Sequence, residues 1–231
     1  MILFFCKDLS GDSALLEEDE FQHCIKVLRH KVGDTINLSD GAGTKALAIL
    51  TDIKKRAATL SINNKQLSSP KPGKIHLYVA PPKNRTRWEW LLEKSVELGV
   101  DQITALNTSR TERSKINTDR TNKIIRSAAL QSLRNFHPSY EGQLPFAKLV
   151  DLSSSSDKYL AHYAEHHPQL SELSASASSV DILIGPEGDF TPKEIRFCID
   201  SGYKGVNISG NRLRTETAAI TVISILKSIG Y

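Results

Sequence analysis

The chain has 231 residues, with 30 Lys+Arg against 26 Asp+Glu and a formal charge of +4; at roughly 100–200 residues per domain, that length suits one large domain or two modest ones. Its 39% hydrophobic and 24% charged content excludes wholesale disorder. No window approaches the ~18 apolar residues that a membrane span needs.

The opening MILFFCKDLSGD has no basic segment and no small-residue cleavage site, so no secretory leader is expected. MILFF is apolar and extended. EEDEFQHCIKVLRHKVG then sets Phe21, Ile25, Leu28 and Val32 at helical spacing and predicts a helix stopped by Gly33. TINLSD, TKALAILTDI and AATLSI follow with partial period-two alternation, broken by the hairpin signal Asp40-Gly41-Ala42-Gly43. A small β-rich barrel with one helix is expected over residues 1–70, and SSPKPG (68–73) supplies the breakers of a boundary.

The pattern then changes to strand followed by helix. KIHLYVAPP is a strand halted by prolines. RWEWLLEKSVELGV is a helix with Trp88, Leu91, Leu92, Ser95 and Leu98 near one face, ended at Gly99. DQITALN is a strand, and TDRTNKIIRSAALQSLR is a basic helix opened by Thr118 or Asp119. Residues 141–180 carry little periodicity, with serine-rich loops at 153–156 and 174–179. Within them HYAEHH (162–167) reads as a solvated polar helix end. It is not H-E-x-x-H, so no metal is expected there. DILIGPEG is a strand running into a glycine turn. TPKEIRFCIDSG is a helix with the capping box Thr191-x-x-Glu194 and Pro192 in its first position. GVNISG is a short strand, and TETAAITVISILKSIG a mostly apolar final helix. The alternation implies an α/β fold with a parallel sheet covered on both faces.

Three well-separated cysteines, Cys6, Cys24 and Cys198, fit neither a disulfide framework nor a zinc site and read as reduced cytoplasmic thiols. Charge is uneven. Residues 1–70 are neutral, 71–140 carry 13 basic and 6 acidic side chains for a net of +7, and 141–231 carry a net of −3. Lys83, Arg85, Arg87, Arg110, Arg113, Arg120, Lys123, Arg126 and Arg134 make a basic rim whose density suits an RNA backbone, or alternatively a solvated helix face.

Two turns carry the chemistry. Ile184-Gly185-Pro186-Glu187-Gly188-Asp189-Phe190 directly follows a strand, where glycine lets backbone approach a ligand; the plain alternative is a tight turn. Ser209-Gly210-Asn211-Arg212-Leu213-Arg214-Thr215-Glu216-Thr217 also lies between strand and helix. An arginine at a helix N-terminus opposes the helix dipole, which marks Arg212 and Arg214 as functional rather than structural, with a carboxylate contact as the alternative. There is no G-x-G-x-x-G, no P-loop and no G-x-S-x-G, so hydrolase and common dinucleotide chemistries lack support.

IGPEGDFTPKE and LRTETA, together with KNRTRWEWLLEKSVELGV, His23-x-x-x-Val27-Leu28-Arg29, Gly33-Asp34 and Asp40-Gly41, resemble the RsmE family. These are small-subunit ribosomal RNA uridine-N3 methyltransferases of the SPOUT class. The resemblance spans nearly the whole chain. It implies a PUA-like β-barrel at 1–70, an RNA-binding domain, and a SPOUT α/β methyltransferase domain at 74–231 with a C-terminal trefoil knot. It further implies a cytoplasmic homodimer without metal or membrane, acting with S-adenosyl-L-methionine on N3 of uridine 1498 of the 16S rRNA in the small ribosomal subunit. Other reactions of the class (another uridine or a ribose 2′-hydroxyl) and a silent RNA-binding protein are the alternatives. The cofactor would be held around Leu183, Ile184, Gly185, Gly188, Ile208, Ser209, Leu213 and Thr217, and RNA by Arg29, Lys83, Arg87, Arg110, Arg113 and Arg126. Arg214 would stabilise the deprotonated uracil anion, and Glu187 or Glu216 would accept the N3 proton. The chain departs from the family at Ile208-Ser209, where relatives read Leu-Gly, so that loop is expected to shift. It also departs at Ser109 and Leu130, where many relatives carry Glu; Gln131 and Ser132 match.

Overall fold

The computed structural model describes residues 2–70, 73–112, 115–153, 155, 157–175 and 178–231. They form two compact units, one of residues up to Pro70 with Ala129–His137 and one of the remainder.

In the first unit, β1 (Leu3–Phe5), β2 (Ser13–Glu17), β3 (Thr35–Ser39), β4 (Thr44–Ile53) and β5 (Ala57–Leu67) make a mixed curled sheet in the order β1-β3-β4-β5-β2, with only the β1–β3 pair parallel. The expected hairpin is formed. Asp40 Oδ1 accepts the Ala42 and Thr44 N–H groups, and Gly41 takes a left-handed φ of 68°. A Cβ on Gly41 would lie 2.5 Å from the His137 ring, so this turn admits no side chain there. Phe4, Phe21, Leu16, Ile36, Leu38, Leu50 and Leu60 are the core.

The helix expected up to Gly33 is shorter than its periodicity implies. One turn, α1 (Glu18–Phe21), passes into a π-helical stretch over Gln22–Val27, and Val32 is 58% exposed. Phe21 and Cys24 are buried, and the wider π turn sets this face in place of the 3.6-residue one. The alternation did not reveal β2, whose buried residues are only Ala14 and Leu16.

The second unit is built on β6 (Lys74–Val79), α2 (Arg85–Glu97), β7 (Gln102–Asn107), α3 (Thr118–Gln131), β8 (Ser139–Pro145), α4 (Leu149–Leu152), β9 (Asp157–Ala161), β10 (Ser179–Ile184), α5 (Pro192–Asp200), β11 (Lys204–Val206) and α6 (Thr215–Ser228). Its six strands pair in the order β11-β9-β10-β6-β7-β8, every pair parallel. Consecutive residues of β7 and β10 are buried, the mark of strands covered on both faces. On α2, Trp88, Leu91, Leu92 and Ser95 face inward as spaced, whereas Leu98, at the helix end, is 37% exposed. β8 and β9 fill the stretch that sequence periodicity left open, and β9 becomes a central strand between β11 and β10.

Of the serine-rich loop expected at 153–156, Ser153 and Ser155 are among the described residues and carry a specific contact. Ser153 and Ser155 hydroxyls donate to the buried Asp181 carboxylate at 2.7 and 2.8 Å, which satisfies a charge the sheet would otherwise strand. His76 lies 3.6 Å from the same carboxylate, contacts Thr104 Oγ1 and stacks on Tyr78. Burial lowers its pKa to about 3, from an ordinary 6.5. Below pH 6.5 the unfolded chain binds a proton that native His76 refuses. Its contribution is therefore intact above pH 6.5 and lost as pH falls towards 3, at no more than ~1.4 kcal/mol per pH unit. Burial raises the Asp181 pKa, which offsets part of that slope. Urea midpoints of His76→Gln are expected to fall less steeply between pH 6.5 and 5 than those of the parent chain; parallel curves would show that His76 is protonated in the native state.

Candidate active site

Because all six strands run parallel, the turns after β9, β10 and β11 open on one sheet edge. There they enclose a cavity of about 540 Å³. Ile184, Gly185 and Glu187 line it from the β10 turn, Ile208, Ser209, Leu213 and Arg214 from the β11 turn, and Ala161 and His162 from the β9 turn. The two motif turns therefore meet, as their positions after strands predict.

The β10 turn is tied down by side chains from other elements. Thr215 Oγ1 donates to the Gly185 carbonyl (3.1 Å), and Arg212 Nη2 donates to the Glu187 carbonyl (3.1 Å). Arg110 Nη1 donates to the Gly188 carbonyl (2.6 Å), and Glu187 Oε1 accepts the Lys83 N–H (3.1 Å). Asp189 adopts a left-handed φ of 60°, and its Oδ2 lies 3.1 Å from His162 Nδ1. Beyond the turn, Thr191 and Glu194 complete the expected capping box at the start of α5. The second Glu194 oxygen accepts the Ser109 N–H at 2.8 Å. A carboxylate from α5 thus meets the backbone of Ser109.

The β11 turn is the opposite case. Asn207 anchors its start, with its amide bonded to the Ala164 N–H and the Ala164 and His167 carbonyls. Of the main-chain groups from Ile208 to Leu213, only the Asn211 N–H finds a protein partner, the Ser209 hydroxyl, among the described residues. Backbone donors and acceptors facing a cavity without internal partners are what a ligand read through main chain requires.

The profile of the RNA methyltransferase domain matches residues 69–227, and that of an RNA methyltransferase PUA domain matches 16–63. Ribosomal RNA small subunit methyltransferase E of Rickettsia conorii is 29% identical over 220 residues, covering 93% of this chain and 89% of its own. The chain belongs to the RsmE family of RNA methyltransferases. Two solved structures extend the likeness. One, from Legionella pneumophila, is described as a methyltransferase with bound SAM and has 30% identity and a TM-score of 0.88 over 98% of this chain and 97% of its own. The other, a ribosomal RNA small subunit methyltransferase E from Neisseria gonorrhoeae bound to S-adenosyl methionine, has 26% identity and a TM-score of 0.87 over 99% and 97%.

Of the residues that the family resemblance marks, Ile184, Gly185, Glu187, Ile208, Ser209, Leu213 and Arg214 line the cavity. Leu183 points the other way into the core beside Tyr78 and Leu160. Gly188 stands against Arg110, and Thr217 is exposed on α6. Glu216 is buried beneath the rim, 3.5 Å from Arg87 Nε, with its Oε2 lacking a partner. Lys83 pairs with Glu112 at 2.7 Å, Arg126 is exposed on α3, and Arg29 is exposed in the first unit with a φ of 60°. Arg113 lies outside the described residues.

The HYAEHH run forms no helix end. It is the loop after β9, with His162 on Asp189 and His167 Nδ1 donating to the His162 carbonyl (2.9 Å). His162 and Asp189 are cavity residues that sequence reasoning missed. The available signal was an Asp, not a Gly, at a left-handed turn position.

Proposed function

We propose that the protein transfers a methyl group from S-adenosyl-L-methionine to N3 of a uridine of small-subunit ribosomal RNA, corresponding to uridine 1498 of the 16S rRNA. The observation that carries this reading is the cavity at the β9–β10–β11 edge, with unpartnered backbone on one wall and Arg214 at its rim. The residues fit the cofactor. Gly185 and Ser209 line the cavity, Ile184, Ile208 and Leu213 offer apolar walls, and the 208–213 main chain has free donors and acceptors. When bound there, S-adenosylmethionine supplies a methyl group already activated by its sulfonium charge.

The chain's own residues then have three tasks. The walls hold the uracil ring in line, for which orientation alone supplies on the order of 7 kcal/mol. Glu187, on the cavity lining, takes the N3 proton. Arg214 places its guanidinium where the resulting anion spreads over the neighbouring carbonyl oxygens. Glu216 lies off the cavity and positions Arg87 instead.

Residues 1–70 act as the PUA-like RNA-binding domain and 74–231 as the catalytic SPOUT domain. The family likeness supports the trefoil knot at its C-terminus, a homodimeric assembly and action on ribosomal subunits in the cytoplasm. RNA docks through the basic rim, so affinity is expected to fall about 100-fold between 50 and 200 mM salt if some four phosphates are neutralised. A filter-binding series checks this, and salt-independent affinity would remove the phosphate docking.

The deciding experiment incubates the protein with labelled S-adenosylmethionine and small subunits from cells lacking the activity, then maps the modified nucleoside by mass spectrometry. One N3-methyluridine establishes the reading. A methylated ribose or other position replaces it with another reaction of the class, and absence of both transfer and cofactor binding leaves an RNA-binding protein.

A further inference from the structure

We propose that a second cavity, between the first turns of α2 and α3, is an RNA phosphate site that anchors the substrate strand outside the methyl-transfer cavity. The proposal rests on the RNA methyltransferase reading. The cavity measures about 340 Å³ and is lined by Arg85, Trp88 and Glu89 of α2, Lys115 before α3, and Arg120 of α3.

Its floor is a preset fork. Glu89 Oε1 accepts from Arg85 Nε at 2.7 Å and from Arg120 Nε at 2.5 Å, and Glu89 Oε2 accepts from Arg120 Nη2 at 2.8 Å. These bonds, first from Arg120 and then from Arg85, hold the Glu89 carboxyl at about 2, so it stays ionised and keeps both guanidinium groups in place. The carboxylate does not exhaust them. Both terminal nitrogens of Arg85, Nη1 of Arg120 and the Lys115 ammonium have no partner among the described residues. Three cations against one carboxylate leave the cavity two positive charges in excess.

An independent observation points to a ligand. Trp88 is only 2% exposed, lines this cavity, and its indole N–H has no hydrogen-bond partner. A buried donor without a partner costs about 1–3 kcal/mol, a cost removed by an acceptor oxygen entering the cavity. The helix ends add to the field. α2 and α3 are 13 and 14 residues long, and both present their N-terminal turns here, capped by Asn84 and Asn117. Arginines at the first position of α2 and the third of α3 stand against the helix dipoles; an anion between them makes that arrangement favourable.

The site is also placed to serve the reaction. Two residues after Arg85, Arg87 reaches back to Glu216 at the start of α6, beside Arg214 and Thr215 of the methyl-transfer cavity. The first turn of α2 thus lines the second cavity with Arg85 and, through Arg87 and Glu216, adjoins residues that line the first. A strand with its target uridine in the first would pass over that turn with a neighbouring phosphate in the second.

Trp90→Phe leaves Trp88 as the sole tryptophan, and Trp90 is 43% exposed, so its exchange spares the core. In that background, titration with a single-stranded oligoribonucleotide is expected to change Trp88 emission. By fluorescence anisotropy, R85A/R120A should bind the same RNA at least tenfold more weakly. Its log-affinity against log-salt slope should be reduced by about two, while affinity for S-adenosylmethionine is unchanged. R85K/R120K, which keeps the charge but not the fork, should recover part of the RNA affinity and the salt slope and so exclude a folding defect. Unchanged RNA affinity in R85A/R120A overturns the proposal. So does an emission change that inorganic phosphate produces at low concentration and RNA does not, because the site would then take a free anion. Binding is read without turnover, so a protein that fails to transfer methyl yet loses RNA in R85A/R120A fails the enzymatic reading alone.

Discussion

Arg214→Ala is expected to lower the single-turnover rate of methyl transfer by about 10²–10³-fold, with S-adenosylmethionine affinity changed no more than about threefold. Arg214 is the residue that opens α6. Its backbone is extended (φ −71°, ψ 155°) and its carbonyl accepts the Ala218 N–H, but its side chain makes no cap, ion pair or hydrogen bond among the described residues. Removing it therefore deletes no structural contact. Its charge also opposes the positive end of the α6 dipole, so the folded chain keeps it at a cost that only an anion would offset. Arg214→Lys keeps a positive charge but not the planar fork, and an intermediate rate is expected. Arg212 differs, because its guanidinium donates to the Glu187 carbonyl and braces the β10 turn. Arg212→Ala should weaken the cofactor and the rate together. Calorimetric titration of the cofactor beside quenched-flow transfer separates the two arginines. If Arg214→Ala lost cofactor affinity in step with rate, Arg214 would be a cofactor contact and not the anion's partner.

What could be read from the residues follows from the range of the interactions. The β10–turn–α5 unit was legible because each part is local. DILI is an apolar run, Gly185 and Gly188 break it, and Thr191, Pro192 and Glu194 write a capping box within four residues. The meeting of the two turns was legible as well, since parallel strands place their ends on one edge. The partners that finish the site are not local. Glu194 meets Ser109 across 85 positions, Arg212 meets Glu187 across 25, and His162 meets Asp189 across 27. No periodicity encodes such pairs. Residues 141–180 stayed opaque for a related reason. β9 is five residues long, and the serines before it are explained only by Asp181, a strand away. The π-helical turn at Gln22–Val27 shows the opposite failure, a good 3.6-residue pattern overridden by packing on a curled sheet. Arg85 and Arg120 were visible as basic residues, but the fork that Glu89 makes of them was not.

Gly205→Ala is expected to unsettle the methyl-transfer cavity from behind. Gly205 sits buried in β11, and a Cβ there would lie 2.2 Å from His167 Cε1 and 2.4 Å from its Nε2, far inside contact distance. His167 cannot simply turn away. Its Nδ1 donates to the His162 carbonyl, and its own carbonyl accepts from the Asn207 amide. Overpacking of this kind costs about 1–3 kcal/mol, and at this size each kcal/mol lowers Tm by roughly 2–4 °C. The displacement is also passed on, because Val206 and Asn207 follow Gly205 directly and His162 shares the loop, and all three line the cavity. Cofactor affinity should therefore fall several-fold, with no substitution touching the cavity itself. The clash is isolated by the double variant Gly205→Ala with His167→Ala, which removes the ring that the new methyl meets. Calorimetric scans should show it more stable than the two single losses combined, the coupling expected of residues in direct contact. Strict additivity would mean that β11 is strained by the methyl elsewhere and that His167 does not connect the strand to the cavity wall.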